Sequence, residues 1–258
     1  MADDGKSDAA LFSLRGIAKS YGAVQALAGI DLDVFPGDVL AICGDNGAGK
    51  STLIKILSGA QAPSDGTMSL RGVPVHFRSP HDALAQGVAT IYQDLALAPR
   101  LSIAANIFMG AERTRALGLP FIRILDKARM ARESREYLAR LSVDIADMSR
   151  PVERLSGGQR QAVAISRALR WNAEIIIMDE PTAALGVKET AQVLDLVRAL
   201  KAQGHTILLI SHNMRDVVAL ATRVAILKSG RKIADRPIGG LSADDLSHMI
   251  MSAEQEAA

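Results

Sequence analysis

The stretch that most constrains this chain is Gly44-Asp45-Asn46-Gly47-Ala48-Gly49-Lys50-Ser51-Thr52. An apolar run, Val39-Leu40-Ala41-Ile42-Cys43, precedes it, and Leu53-Ile54-Lys55-Ile56-Leu57 follows with the look of an opening helix. Strand, glycine-rich turn and helix N-terminus, in that order, are what a phosphate-binding loop requires. Glycine tolerates positive φ, so such a loop can turn its N–H groups inward around phosphate oxygens. The helix adds partial positive charge at the same point. Lys50 can then reach β- and γ-phosphates, and the Ser51 hydroxyl can ligate Mg²⁺. The alternative is an ordinary strand-to-helix turn. The full spacing with both flanks argues instead for a nucleoside triphosphate site.

The rest of the composition bounds the setting. A chain of 258 residues can bury a sizeable core as one domain with an inserted subdomain. Apolar residues make up 48% and charged ones 22%, which is the balance of a globular protein and not of a disordered one. The net charge of +2 is too slight to argue for a nucleic-acid partner. The lone cysteine, Cys43, cannot form an internal disulfide and reads as a small buried apolar residue in a reducing compartment. The acidic, polar start Met1–Asp8 is no signal peptide, and apolar runs such as Thr206–Ile210 are strand-sized. The expectation is a cytoplasmic protein that acts at a membrane only by docking.

Along the chain, residues 11–35 alternate apolar and polar on either side of Tyr21-Gly22, which predicts a half-exposed antiparallel pair. The run 39–43 reads as a strand buried on both faces, so an antiparallel β layer precedes a parallel core. A short β stretch follows near 67–75, then a helix at about 80–86 and a strand at 88–92. Residues 94–170 change character: helical, arginine-rich and poor in β-branched runs. Acids are interleaved with the arginines and no aromatic series accompanies them, so the charge reads as a solvated helix face. The core resumes with strands at 173–180, ending in two carboxylates, 206–210 and 224–227, separated by helices at 187–203 and 214–220. A hairpin near 228–233 and a short helix near 242–251 end the chain. The predicted fold class is α/β: a P-loop NTPase core with an N-terminal antiparallel β layer and an inserted α-helical subdomain. In that division, 11–93 and 171–250 form the core and β layer, 94–170 the helical subdomain, and 1–10 and 252–258 frayed tails.

In open α/β sheets, ligands sit at the carboxyl ends of the strands. Gln93, Asp179-Glu180 and Ser211-His212 all fall at such ends. Asp179, after four apolar residues, is placed to bind nucleotide Mg²⁺. Glu180, one residue further, can take a proton from the attacking water. The bland alternative is a pair of turn carboxylates. His212 can donate to the γ-phosphate, and the Gln93 amide can serve both the metal and the water.

Leu155-Ser156-Gly157-Gly158-Gln159-Arg160-Gln161 precedes a helix and makes a second anion cradle. A phosphate loop far upstream, this stretch, one helix, then Asp179-Glu180 is an ordered set that resembles the ATP-binding subunit of ABC (ATP-binding cassette) transporters. The resemblance covers about residues 11–250. It implies ATP and Mg²⁺ as cofactors, with Tyr21 matching the residue that stacks on adenine and 44–52 the Walker A loop. Gly44, Asp45, Asn46, Gly47, Ala48, Gly49, Lys50, Ser51 and Thr52 would bind nucleotide, and Ser51, Gln93 and Asp179 the metal. Gln93 matches the Q-loop that senses the membrane partner, Glu180 the catalytic glutamate and His212 the switch histidine. Ser156, Gly157, Gly158 and Gln159 match the signature motif, which binds the γ-phosphate held by the opposite subunit. Two chains would sandwich two ATP molecules head to tail; ATP closes the pair and hydrolysis reopens it. The implied partners are a second copy, two permease subunits and, indirectly, a periplasmic sugar-binding protein, at the cytoplasmic face of the inner membrane.

One departure stands out. Where the family shows serine-alanine-leucine-aspartate, with an aspartate linking the two sites, this chain has Ala183-Ala184-Leu185-Gly186. Residues 91–97 and 101–110 look like importers of simple sugars such as ribose, xylose, fructose or galactose. Most of that branch carries two fused cassettes; this single cassette resembles the short members, of which fructose importers are an example. The expectation is also that it has no C-terminal regulatory domain of the maltose-type ATPases. The competing readings are an importer of another small solute, a soluble ABC ATPase acting on DNA or ribosomes, and a catalytically dead regulatory cassette. Intact Lys50, Glu180 and His212 argue against the last.

Overall fold

The computed structural model describes residues 9–117 and 119–252. Of the tails expected at 1–10 and 252–258, residues 1–8 and 253–258 lie outside the described residues, whereas Ser252 closes the final helix.

The first layer is an antiparallel sheet of β1 (Phe12–Tyr21), β2 (Val24–Val34), β4 (Asp65–Leu70) and β5 (Val73–Val75), ordered β2-β1-β4-β5. Phe12 and Leu14 point inward, but the next buried residue is Ile17, out of phase by one. A register shift between Leu14 and Ile17 absorbs the extra residue, with Gly16 at φ +61°. Such a bulge re-aims a strand without breaking its pairing.

The second sheet has six strands in the order β12-β11-β3-β10-β9-β6. These are β3 (Val39–Cys43), β6 (Val88–Ile91), β9 (Ile175–Asp179), β10 (Thr206–Ile210), β11 (Arg223–Lys228) and β12 (Arg231–Pro237). All pairs are parallel except the edge pair β11–β12. Parallel strands are covered on both faces, and this explains their continuous apolar sequence. Val39, Ala41 and Cys43 enter one core cluster while Leu40 and Ile42 enter the other. Ile176 and Met178 alternate with Ile175 and Ile177 in the same way. One cluster joins the sheet to the antiparallel layer and α1 (Lys50–Leu57). The other joins the opposite face to the helical segment and to α6 (Val187–Ala202), α7 (Met214–Leu220) and α8 (Ala243–Ser252).

Residues 94–170 contain α3 (Ile103–Phe108), α4 (Lys127–Arg140) and α5 (Gly157–Arg170), as expected. They are not wholly helical: β7 (Thr114–Leu117) and β8 (Leu119–Leu125) form an antiparallel hairpin. Pro120 has no place in a helix interior, and the β-branched Ile122 and Ile124 favour a strand. The interleaved charges pair locally: Glu133 accepts from Arg113 at 2.9 Å and from Arg129 at 2.6 Å. α2 (Pro80–Ala85) leads into β6. No helix among the described residues is long and apolar enough to cross a membrane.

The end of the parallel sheet away from the phosphate loop is pinned by ion pairs. Arg223 donates to Asp235 at 2.7 and 3.0 Å and to Asp38 at 3.2 Å, and Lys232 adds a bond to Asp235 at 2.8 Å. Burial alone would raise the Asp235 pKa, but hydrogen bonds and charge from Arg223 and Lys232 outweigh it and hold the group below 3.8. A depressed carboxylate pKa contributes stability above the unfolded value and loses it as pH falls through the folded one. Asp235→Asn is expected to cost about 1–3 kcal/mol at pH 7 in urea unfolding, the range for a broken bond to a charged group. The difference should shrink as pH falls from 3.8 toward the lower folded value, because the unfolded chain takes up the proton first. Equal stability at pH 7 would show that the network is ornamental.

Candidate active site

The phosphate loop leaves β3 and enters α1 as the sequence predicts. Gly44, Gly47 and Gly49 all have positive φ, at +149°, +84° and +101°. A Cβ on Gly44 would lie 2.2 Å from the Leu227 carbonyl oxygen, and one on Gly49 would lie 2.8 Å from that of Ala26. Packing against β11 and β2 therefore demands glycine at both points. Lys50 folds across the loop and donates to the Gly44 and Asp45 carbonyls at 2.6 and 2.9 Å. Its ammonium thus sits over the turn that the glycines shape. Asp45, Asn46 and Ser51 are exposed, and Ala48 is buried.

The N-terminus of α1 differs from those of five other helices. Ser79, Ser102, Asp126, Ser156 and Asn213 each accept a backbone N–H of the helix they begin. Gly49, the N-cap of α1, has no side chain to offer. The first N–H groups of a helix need acceptors, so an anion such as phosphate fits this end chemically.

Because β3, β10, β9 and β6 run parallel, their carboxyl ends share one edge of the sheet. β10 is the neighbour of β3, so Ser211-His212 emerges beside the loop, with Asp179-Glu180 next and Gln93 beyond. Asp179 is half-buried, and its pKa is raised first by burial and then by the charge of Glu180, with Lys50 opposing. Glu180 breaks the strand: its φ is +49°, in the left-handed region that disfavours a side chain, and its N–H donates to the Ile210 carbonyl at 2.9 Å. That kink carries Glu180 out of the sheet, where its Oε1 lies 3.1 Å from His212 Nδ1. Gln93 and Glu180 line one cleft of about 360 Å³ together with Gly157, Arg160 and Gln161.

The donor set suits a Mg²⁺ carried by phosphate. Asp179 offers a carboxylate and Ser51 a hydroxyl, both hard oxygen ligands. No group of three or more His, Cys, Asp or Glu able to hold a metal alone occurs among the described residues. A cation here would depend on substrate oxygens, as Mg²⁺ commonly does. Cys43, buried behind the loop, has its pKa pushed up to about 12 by burial, against a smaller lowering by Lys50. It is a neutral packing residue.

Ser156 caps α5 by accepting from the Gln159 N–H at 3.3 Å, while Gln159 Oε1 accepts from the Ser156 N–H at 3.1 Å. Gly157 and Gly158 are buried against α6 and the loop before it: a Cβ on them would meet the Leu185 side chain of that loop and the Gln192 side chain of α6. No hydrogen bond among the described residues joins Ser156–Gln159 to the phosphate loop. Within one protomer the two anion cradles are separate. Tyr21 also stays off the loop. It is 45% exposed at the tip of the β1–β2 hairpin, its hydroxyl donates to Gln61, and the Lys19 ammonium lies 5.6 Å from its ring centre.

Sequence reasoning missed three connections. Arg167 on α5 donates to the Leu95 and Ala96 carbonyls at 3.0 and 2.9 Å, tying the loop after Gln93 to the signature helix. Thr182 donates to Asp216 at 2.7 Å. Glu189 Oε1 accepts from the Gly157 N–H at 2.6 Å. Each spans tens of residues, and no local pattern signals it.

Comparison with known proteins finds relatives over most of the chain. A family model described as ABC transporter matches residues 27–183. The chain is 47% identical over 225 residues to the fructose import ATP-binding protein FrcA of Rhizobium meliloti, covering 86% of each. It is 44% identical over 242 residues to the xylose/arabinose import ATP-binding protein XylG of Sulfolobus acidocaldarius, covering 94% of each. The ribose import ATP-binding protein RbsA 1 of Streptomyces coelicolor is 44% identical across 92% of this chain, which spans 46% of that protein. Among solved structures, the ADP conformation of MJ1267, an ATP-binding cassette of an ABC transporter, superposes with a TM-score of 0.78 at 25% identity, covering 95% of this chain and 96% of that one. The dimeric cassette MJ0796 bound to ADP and Pi shares the fold, with a TM-score of 0.72 at 24% identity, covering 89% of this chain and all of that one.

The electrostatics at Asp179 make a test possible. A carboxylate whose folded pKa is raised loses stability for the fold as pH climbs from 3.8 through the folded value, because the ionised form is disfavoured there. Asp179→Asn removes that burden, so the nucleotide-free variant should melt at or above the parent temperature at pH 7. It should also lose the thermal stabilisation that MgATP gives the parent. A nucleotide-free melting point several degrees lower would make Asp179 a structural residue.

Proposed function

Because this chain belongs to the ABC transporter ATP-binding family, we propose that it is the ATP-hydrolysing subunit that energises monosaccharide import through a membrane permease. The hydrolytic part rests on one observation: a single sheet edge carries a phosphate loop whose helix lacks a side-chain cap, Asp179, and the Glu180–His212 pair. The substrate class rests on the likeness to proteins named for fructose and for xylose/arabinose import over most of both chains.

In this reading the Gly44–Thr52 backbone and Lys50 hold the triphosphate, and Tyr21 stacks on the adenine. Ser51, Gln93 and Asp179 would hold Mg²⁺, which neutralises phosphate charge. Glu180 accepts the proton of the water that attacks the γ-phosphorus, ADP departs, and inorganic phosphate remains. The left-handed kink serves this step, because it separates the proton acceptor from its half-buried neighbour. His212 holds the Glu180 carboxylate from the exposed side and is placed to donate to the γ-phosphate. Ser156, Gly157, Gly158 and Gln159 serve a nucleotide held by a second copy, since in their own protomer they do not contact the phosphate loop. The residues 11–93 and 171–250 act as the nucleotide-binding body, and 94–170 as the helical part that carries the signature. A groove lined by His81, Tyr92, Met109, Arg167 and Trp171 lies between α2, β6, α3 and α5. It adjoins β6, the strand that leads to Gln93, which suits a permease contact able to reach the site. Two permease subunits, fed by a periplasmic sugar-binding protein, would place the ATPase at the cytoplasmic face of the inner membrane.

The assay is phosphate release by parent and Glu180→Gln. A general base is worth about 10²–10⁴ in rate, so hydrolysis should fall by that order while MgATP still binds. The variant should accumulate as an ATP-bound dimer by size exclusion. Hydrolysis within a few-fold of the parent would remove Glu180 from the proton transfer. Uptake of labelled fructose, xylose and ribose by cells with and without this chain tests the sugar class, and unchanged uptake of all three would contradict it.

A further inference from the structure

The signature turn and the loop before α6 are joined by one side chain. Glu189, in the first turn of α6, has its Oε1 2.6 Å from the Gly157 nitrogen, and the Gly157 N–H donates to it. Its other oxygen, Oε2, lies 3.5 Å from the Gly186 nitrogen and closes the start of its own helix. One carboxylate therefore spans two helix N-termini, α5 and α6, that lie 32 residues apart at the Gly157–Glu189 contact. A carboxylate is the favoured partner for such ends, since both present N–H groups and partial positive charge.

The fit around this bridge is close. A Cβ on Gly157 would fall 3.0 Å from Glu189 Oε1 and 2.5 Å from Leu185 Cδ2. A side chain at 157 would thus have to push aside the ends of the Glu189 and Leu185 side chains, independently of any ligand. Gly186, by contrast, has an unstrained φ of −72° and open space where a Cβ would go. Nothing steric excludes a side chain at 186, yet the position that would ordinarily offer a helix-capping carboxylate has none. The capping charge sits three residues later and reaches across to α5 as well.

We propose that Glu189 is a positioning residue that locks the Ser156–Gln159 turn to the Ala183–Gly186 loop, so that both meet a second protomer as one rigid unit. With the Gly157 N–H held by Glu189 and the Gln159 N–H by Ser156, the turn is set before any nucleotide arrives. Ala183 and Ala184 follow directly from Glu180 through the Ala183 N–H to Glu180 carbonyl bond of 3.0 Å. The bridge therefore connects the cradle offered to the partner's nucleotide with the backbone that carries the protomer's own proton acceptor. It supplies within one chain a link between sites that Gly186 cannot make with a side chain. This inference rests on the proposed role of Ser156–Gln159 at a shared site.

The test compares the parent with Glu189→Ala, Glu189→Gln, the double variant Gly186→Ser/Glu189→Ala, and Ser156→Arg. Three readouts are taken on the isolated chain: melting temperature, binding of a fluorescent ATP analogue, and the protein concentration giving half-maximal ATP hydrolysis. Loss of a hydrogen bond to a charged group should raise that concentration roughly 10-fold to 100-fold in Glu189→Ala, with analogue binding unchanged. Glu189→Gln keeps an acceptor oxygen for the Gly157 N–H and should recover most of the loss. Gly186→Ser restores a cap to α6 without reaching Gly157, so the double variant should regain melting temperature but not assembly. Recovery of assembly by the double variant, or unchanged assembly in Glu189→Ala, would reduce Glu189 to a helix cap and overturn the proposal. Ser156→Arg isolates the underlying reading: if it leaves assembly intact, the signature turn is not at a shared site, whatever Glu189 does.

Discussion

The backbone N–H groups at the start of α1 are the constraint on which the site depends. Five other helices begin with a serine, aspartate or asparagine side chain that satisfies their first donors. α1 begins with Gly49 instead, because β2 packs so closely that any side chain there would strike the Ala26 carbonyl. The same crowding acts on Gly44 through the Leu227 carbonyl of β11. The glycines therefore serve both packing and chemistry: the tight seating that excludes side chains also leaves the donors for an anion. Lys50, bonded to two carbonyls of the loop, adds charge to a turn that is already formed.

Around that loop the parallel sheet distributes different tasks to similar groups. Asp179 and Glu180 are consecutive, yet their surroundings separate them. Asp179 completes a strand, half-buried, with its charged form disfavoured by burial and by its neighbour. Such a carboxylate gains most from a nearby cation, which fits the metal-binding role proposed for Asp179. Glu180 is turned out by a left-handed residue whose N–H is anchored on β10, and there it meets His212. The strain at Glu180 is held in place by the sheet, since the Ile210 carbonyl that anchors it belongs to a fully buried strand. Strained backbone at such a position motivates the role proposed for Glu180.

Much of this was legible in the sequence because it follows from periodicity and from order along the chain. The continuous apolar runs announced strands covered on both faces, and strand ends announced where the polar residues would gather. The antiparallel layer was legible from alternation, although the bulge at Gly16 was not, since it shows only as a phase slip between Leu14 and Ile17. The hairpin in the helical segment was hidden because arginine-rich sequence resembles a solvated helix, and Pro120 was the available warning. Tertiary links were invisible. Gly186 read as a lost carboxylate, whereas Glu189 brings one to the same helix end and across to Gly157. The arginine at 167 looked like any other on a helix, and its two bonds to the loop after Gln93 depend on how α5 packs.

The central claim is that each chain holds half of a site: a phosphate loop with its proton acceptor, and a signature turn meant for another copy. Mixing two inactive variants tests it directly. Lys50→Ala removes the phosphate grip but keeps the signature turn, and Ser156→Arg does the reverse. In a mixed dimer, the intact loop of one chain faces the intact turn of the other, so one complete site forms. The account predicts that each variant alone is inactive and that the mixture hydrolyses ATP. A mixture no more active than the sum of its parts, while both variants fold and associate, would contradict it.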